Sequence, residues 1–213
     1  MTERATGIIL RTRPLTETSL IVNWLTADRG RISTVAKGAR RPKSPFRGKL
    51  DLFYEADFSF QPSQRSELHA LREVGLRETH PSLRTDLGYV QQASYVAALI
   101  EQATERETPL PVVYELTRGF LNELPQHPPQ PQTLFAFELK LLAELGLQPD
   151  FDQTRLTPGA RLIAAKLAEL DWATVIRVKL AEAQVAELRG FLQGFLVQHL
   201  ERIPAGRLAA LNH

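Results

Sequence analysis

The chain has 213 residues, 43% of them hydrophobic and 23% charged, with 26 Lys and Arg against 24 Asp and Glu. That composition can bury a real core and argues against disorder or a membrane span. Cysteine is absent, which excludes disulfides and thiolate metal centres. The first apolar run, Gly7 to Leu10, is too short for a signal or spanning segment, so a cytoplasmic location is expected.

Up to about residue 75 the apolar pattern predicts strands. Thr6 to Arg13 and Leu20 to Thr26 are short β-branched runs separated by the turn-forming Pro14-Leu15-Thr16-Glu17. Asp28-Arg29-Gly30 supplies a hairpin signal, since Gly30 can take positive φ. From Arg31 to Lys37 the residues alternate, with Ile32, Thr34 and Ala36 on one face. Arg11 and Arg13 are expected to share a face of the first strand with Ile9.

Next comes Lys37-Gly38-Ala39-Arg40-Arg41-Pro42-Lys43-Ser44-Pro45-Phe46-Arg47-Gly48-Lys49, which holds six cations and no acid. So much charge on a segment broken by Pro and Gly belongs on the surface, in a loop suited to phosphates. Residues 1–50 hold eleven Lys and Arg against three Asp and Glu, a balance of +8, while the remainder carries −6. A basic head and a milder body point to nucleic acid as the ligand of the head. After the loop, Leu52, Tyr54, Ala56, Phe58 and Phe60 alternate with Phe53, Glu55, Asp57 and Ser59, and Leu68 to Val74 completes five strands. Short strands joined by tight turns fit a small closed barrel of the oligonucleotide-binding (OB) type.

Beyond residue 80 the period becomes helical. Ser82 is expected to cap a helix running through Leu87, Val90, Tyr95 and Leu99, and a second helix is predicted from Pro111 to Leu124. The proline-rich stretch Pro125 to Pro131 is a stiff linker. Leu134, Glu138, Leu141, Leu142 and Leu145 then define a helical face ending at Gly146, and Thr157-Pro158 opens another helix. The last long helix spans Glu182 to Glu201, where Gly190 and Gly194 predict close approach by a neighbouring helix. The expected fold class is therefore α+β: an N-terminal five-stranded OB-fold β-barrel over residues 1–79, then an all-helical domain over residues 80–213.

Thr6-Gly7-Ile8-Ile9-Leu10-Arg11, Glu17, Leu25-Thr26 with Gly30, and Ala36 through Ser44 together resemble the opening of the bacterial recombination mediator RecO family. Phe137-Glu138-Leu139-Lys140-Leu141-Leu142-Ala143-Glu144-Leu145-Gly146 resembles its central helix, and Thr157-Pro158 with Gln198-His199-Leu200 its C-terminal region. The resemblance implies an OB barrel plus a helical domain, binding of single- and double-stranded DNA, and annealing of complementary strands. It also implies recombinase loading with RecR onto strands coated by single-stranded-DNA-binding protein (SSB), and hence association with the nucleoid. Many members insert a four-cysteine zinc module after the central helix. Here Leu147 to Leu156 contains neither Cys nor His, so no metal site is expected.

The residues expected to contact DNA are Lys37, Arg40, Arg41, Lys43, Arg47 and Lys49 on the loop, with Arg31 and Arg11 from the strands. Phe46 is the best candidate for stacking on a base, with Phe53 and Trp24 as weaker ones; Trp24 fits the barrel core better. Glu67 with His69, and His80 near Asp86, come without a third group or a nucleophile motif, so no catalytic residue is assigned. No GxxxxGK loop is present, and neither a nucleotide nor any other cofactor is expected. An RNA-binding barrel module, or an adaptor whose helical body recruits partners, are the alternatives.

Overall fold

The structure, a computed structural model, describes residues 1–212. Its amino-terminal strands are β1 (Glu3–Pro14), β2 (Leu20–Thr26), β3 (Gly30–Ala36), β4 (Glu55–Gln61) and β5 (Leu68–Glu78). They close into a barrel in the order β1-β2-β3-β5-β4. All neighbours are antiparallel except β3 and β5, which pair in parallel through Ser33–Val35 and Leu68–Ala70. The β2–β3 hairpin closes where Thr26 pairs with Gly30, whose φ of 63° requires the freedom of glycine.

Alternation explains what fills the barrel. Ile9, Val22, Trp24, Ile32, Ala36, Phe58 and Phe60 point inward and form one buried cluster. Trp24 stacks on Phe58 at 4.1 Å between ring centroids, and its indole N–H donates to the Thr34 hydroxyl at 2.9 Å. That bond accounts for a buried threonine inside the barrel: it satisfies the one polar group the tryptophan carries in.

Three strand-face expectations change. A register shift between Ile9 and Arg11 breaks the alternation of β1, so Ile9 is buried while Arg11 and Arg13 are exposed. Phe53 is buried at φ 67°, outside any strand, where its N–H donates to the Ile9 carbonyl at 2.8 Å. Glu55, expected on the face opposite Ala56 and Phe58, is buried as they are, and the Tyr114 hydroxyl donates to its carboxylate at 3.0 Å.

Contacts divide the chain into two units, Met1–Pro81 with Thr104–Glu115, and Ser82–Ala103 with residues from Leu116 onward. In the first, the Thr104–Glu115 segment lies against the barrel. Arg31 donates to the Thr104 hydroxyl at 2.7 Å, and the Glu107 N–H donates to the Arg31 carbonyl at 3.0 Å.

The helices are α1 (Leu87–Ala103), α2 (Pro111–Glu123), α3 (Pro131–Glu144), α4 (Pro158–Glu169), α5 (Trp172–Val175), α6 (Glu182–Leu200) and α7 (Arg207–Leu211). The cap of α1 is Asp86 rather than Ser82, which lies in a 3-10 turn over Pro81–Arg84; the Asp86 carboxylate accepts from the Gly88 N–H at 2.7 Å. Helix α3 ends as expected at Gly146, with φ 71° and Leu147 N–H returning to the Leu142 carbonyl at 2.8 Å. Thr157 caps α4 by accepting from the Ala160 N–H at 3.3 Å. Gly119 makes room for Trp172, since a Cβ there would sit 2.6 Å from the indole Cδ1. Gly190 and Gly194 face open space, so the close helix approach expected there is not made. Among the described residues, no helix is long and apolar enough to cross a membrane.

Candidate nucleic-acid interface

The cationic segment between β3 and β4 is built from successive turns. Hydrogen bonds run from Ala39 N–H to Ala36, Arg41 to Gly38, Ser44 to Arg41, Arg47 to Ser44, and Lys49 to Phe46, at 3.0–3.3 Å. Gly38 and Gly48, at φ 69° and 72°, let the chain reverse at either end. Two further bonds tie it to the β1–β2 turn: Arg40 N–H donates to the Thr18 carbonyl at 3.0 Å, and Gly38 N–H to the Ser19 hydroxyl at 3.4 Å. The segment is therefore a shaped platform.

Phe46 is what holds that platform down. Its side chain is only 6% exposed and belongs to the same cluster as Trp24 and Phe58. The expectation that Phe46 stacks on bases is corrected here. Its apolar partners come from strands distant in sequence, and they were invisible from its polar neighbours.

Burying Phe46 forces the flanking cations outward. Lys37, Arg40, Arg41, Lys43 and Arg47 are all exposed. Lys49 is half-buried, its ammonium donating to the Val74 carbonyl at 3.0 Å. Arg40 and Arg47 each donate to a backbone carbonyl nearby, of Thr16 and Pro42, at 3.4 Å. Arg11 is exposed on β1 opposite Asn23, toward the end of the barrel that bears the loop. Arg31 is set apart from this group. It sits five residues before Ala36, about 16 Å along an extended strand. Its guanidinium is engaged with Thr104.

Beneath the loop lies a cavity of about 310 Å³, walled by Leu20, Ala39, Phe46, Arg47, Leu50 and Tyr54 among others. Tyr54, grouped by alternation with Ala56, Phe58 and Phe60, is only partly buried and lines this cavity. It precedes the first paired residue of β4, where strand periodicity does not yet govern orientation.

The electrostatics of the barrel away from the loop are self-contained. Arg77 holds the Asp57 carboxyl below its ordinary pKa through a 2.8 Å bond, with the Thr6 hydroxyl donating at 2.6 Å. Glu67 is bonded to Arg106, and His69 lies 3.4 Å from Glu107. Glu67 and His69 thus have partners within the Thr104–Glu115 segment. Among the described residues, no group of three or more His, Cys, Asp or Glu is placed to hold a metal ion.

A closed five-stranded barrel with a turn-built cationic loop, followed by a helical domain, defines an OB-fold protein with an all-α partner domain. Residues 1–80 match the family model for the Recombination protein O N terminal, and residues 84–158 that for the Recombination protein O C terminal. The chain belongs to the RecO family. It is 34% identical over 149 residues to the DNA repair protein RecO of Anaeromyxobacter sp. strain K, covering 70% of this chain and 59% of that protein. It is 34% identical over 152 residues to the one from Listeria monocytogenes serotype 4b, covering 71% and 58%. For the Bacillus pumilus protein the identity is 31% over 150 residues, covering 70% and 58%. The chain thus spans somewhat under three fifths of the length of these curated relatives.

Proposed function

We propose that this protein is a non-enzymatic, DNA-binding recombination mediator acting in DNA repair in the cytoplasm, at the nucleoid. It binds single and double strands through the basic loop, anneals complementary strands, and helps RecR load recombinase onto SSB-coated DNA. The observation that carries this reading is the loop, whose cations Lys37, Arg40, Arg41, Lys43 and Arg47 are exposed while its one aromatic is buried. Family membership and the relatives named DNA repair protein RecO add to it.

The mechanism is charge neutralisation. Each cation set near a phosphate releases condensed counterions, and two backbones screened by one platform approach each other at lower electrostatic cost. Lys49 and Arg11 extend the same end of the barrel, whereas Arg31 is left out of the contact. With no exposed aromatic on the loop, readout of base identity is weak and backbone contact dominates.

The deciding experiment is annealing of complementary oligonucleotides coated with SSB, at two salt concentrations, with and without RecR. Salt-sensitive acceleration without ATP or added metal is the expected result. No acceleration at either salt would overturn the mediator reading.

A further inference from the structure

We propose that the outward face of α6 pairs with the same face of a second copy of this chain, the two helices running antiparallel about a two-fold axis beside position 192. The pairing stands independently of the DNA-binding reading, to which it adds two basic loops carried in one particle.

Helix α6 is 19 residues long and packs on α3 and α4, burying Leu188, Leu192 and Leu196. On its opposite side Ala183, Ala186, Gly190, Gly194 and Val197 are all exposed, at spacings of three and four that set them in one row. Phe191 and Phe195 flank the row half-buried, their ring centroids 5.7 Å apart, and His199 continues the ladder 4.1 Å beyond Phe195. Glycine inside a helix weakens it relative to alanine, yet a Cβ on Gly190 or Gly194 would meet nothing within 4 Å. Among the described residues, then, no contact requires a glycine at either place. What the pair does provide is a smooth strip on which another helix backbone can come close.

The ends of the helix select the occupant. Its first turn carries Glu182, and its C-terminal end is followed by Glu201 and Arg202, all three exposed. Glu187, the other acid of the first half, is taken up by Thr157, whose hydroxyl donates to it at 2.9 Å. Antiparallel pairing centred on 192 sets Gly190 of one copy against Gly194 of the other, Ala186 against Gln198, and Glu182 against Arg202. Glu201 then meets the positive N-terminal end of the other helix, near Ala183. Parallel pairing would instead put Glu182 beside Glu182 and Arg202 beside Arg202, a like-charge cost. The face is therefore complementary to itself, as a two-fold contact requires. A helix strip about 28 Å long buries less than the about 1,200 Å² of a standard interface, so the dimer is weak and reversible.

The test is sedimentation velocity on the full chain over a wide range of concentration. The native protein should pass reversibly from monomer to dimer. Gly190→Gln together with Gly194→Gln, whose side chains have open space in the single chain, should weaken self-association by about tenfold with an unchanged or higher melting temperature. Glu182→Arg and Arg202→Glu should each weaken it by about threefold, and the two combined should restore it. Because the native chain has no cysteine, a mixture of Gly190→Cys and Gly194→Cys proteins reads the orientation: the mixed disulfide should form well ahead of either symmetric one. A native protein that stays monomeric throughout would overturn the pairing and leave the face to another protein's helix. Self-association that the glycine variants leave untouched, charge swaps that do not compensate, or symmetric disulfides formed as fast as the mixed one would overturn it as well.

Discussion

Arg207 on α7 grips the carboxylate of Glu138 on α3 with two bonds, Nε to Oε1 at 2.6 Å and Nη2 to Oε2 at 2.8 Å, and both residues are buried. The Tyr95 hydroxyl donates to the same carboxylate at 2.7 Å, and Gln193 accepts from Arg207 at 3.1 Å. Three helices distant in sequence are thereby joined at one carboxylate. Burial opposes the charge on Arg207, but the bonds to Glu138 outweigh it and raise its pKa. Such a pair is costly to break and cheap to replace. Arg207→Ala should destabilise the protein by about 3–5 kcal/mol, measured by urea unfolding. The double variant Glu138→Leu with Arg207→Met should lose far less than the two single losses combined.

Tyr95 titrates with a sign that can be checked. Burial first, then the Glu138 carboxylate, pushes its phenol well above the ordinary tyrosine value. The folded state thus holds that proton more tightly than the unfolded chain does. The resulting stability is complete below the unfolded value, about pH 10, and is lost as pH rises beyond it. Thermal melts should drop above about pH 10, and Tyr95→Phe should flatten that drop. Near neutral pH the same variant should cost about 1 kcal/mol for the lost hydrogen bond.

Asp57 behaves in the opposite sense. The Arg77 bond, then the Thr6 hydroxyl, lowers its pKa, so its contribution is present above the ordinary carboxylate value and lost as pH falls through the depressed one. Glu78 is lowered likewise, by the backbone N–H groups of His80 and Thr79. Both carboxylates are solvent-facing, which keeps the effect small. Stability should be flat around neutrality and decline below about pH 4. Asp57→Asn should reduce the acid slope in melts run at low salt.

The loop cations make a quantitative prediction about DNA. Arg40→Ala and Arg41→Ala together should lower affinity for any sequence and reduce the slope of log K against log salt by about two units. Fluorescence anisotropy at several salt concentrations measures both. An unchanged slope would remove these residues from the interface.

Phe46 couples that chemistry to the fold. Phe46→Ala leaves every cation in place but removes the anchor of the platform. The variant should lose about 3 kcal/mol of stability and bind DNA more weakly, although its charge is unchanged. Phe46→Leu should keep most of both.

Gly30 occupies a position that admits no Cβ: one would lie 1.8 Å from the Thr108 carbonyl oxygen, at a φ of 63°. Gly30→Ala should therefore strain the backbone and displace the Thr104–Glu115 segment from the barrel. Limited proteolysis at that segment is the readout.

Much of this protein was legible in order along the chain. Period-two alternation located β2 and β3 within a residue, the Asp28-Arg29-Gly30 turn placed their hairpin, and Gly146 and Thr157 marked helix ends. These are local matters, decided by side-chain direction, positive φ and the unpaired groups of helix termini. The cationic loop was equally plain, because charge density alone keeps a segment in water. Tertiary structure decided what each aromatic and each acid does. Phe46 went inward because strands distant in sequence offered it a core, and Glu55 because Tyr114 arrived with a hydroxyl to meet it. Likewise Glu138, on the inward face of its helix, is tolerated there because Arg207 supplies a buried counter-charge from sixty-nine residues away. Burial depends on which surfaces meet, and partners for buried polar groups are contributed by segments that local sequence cannot name.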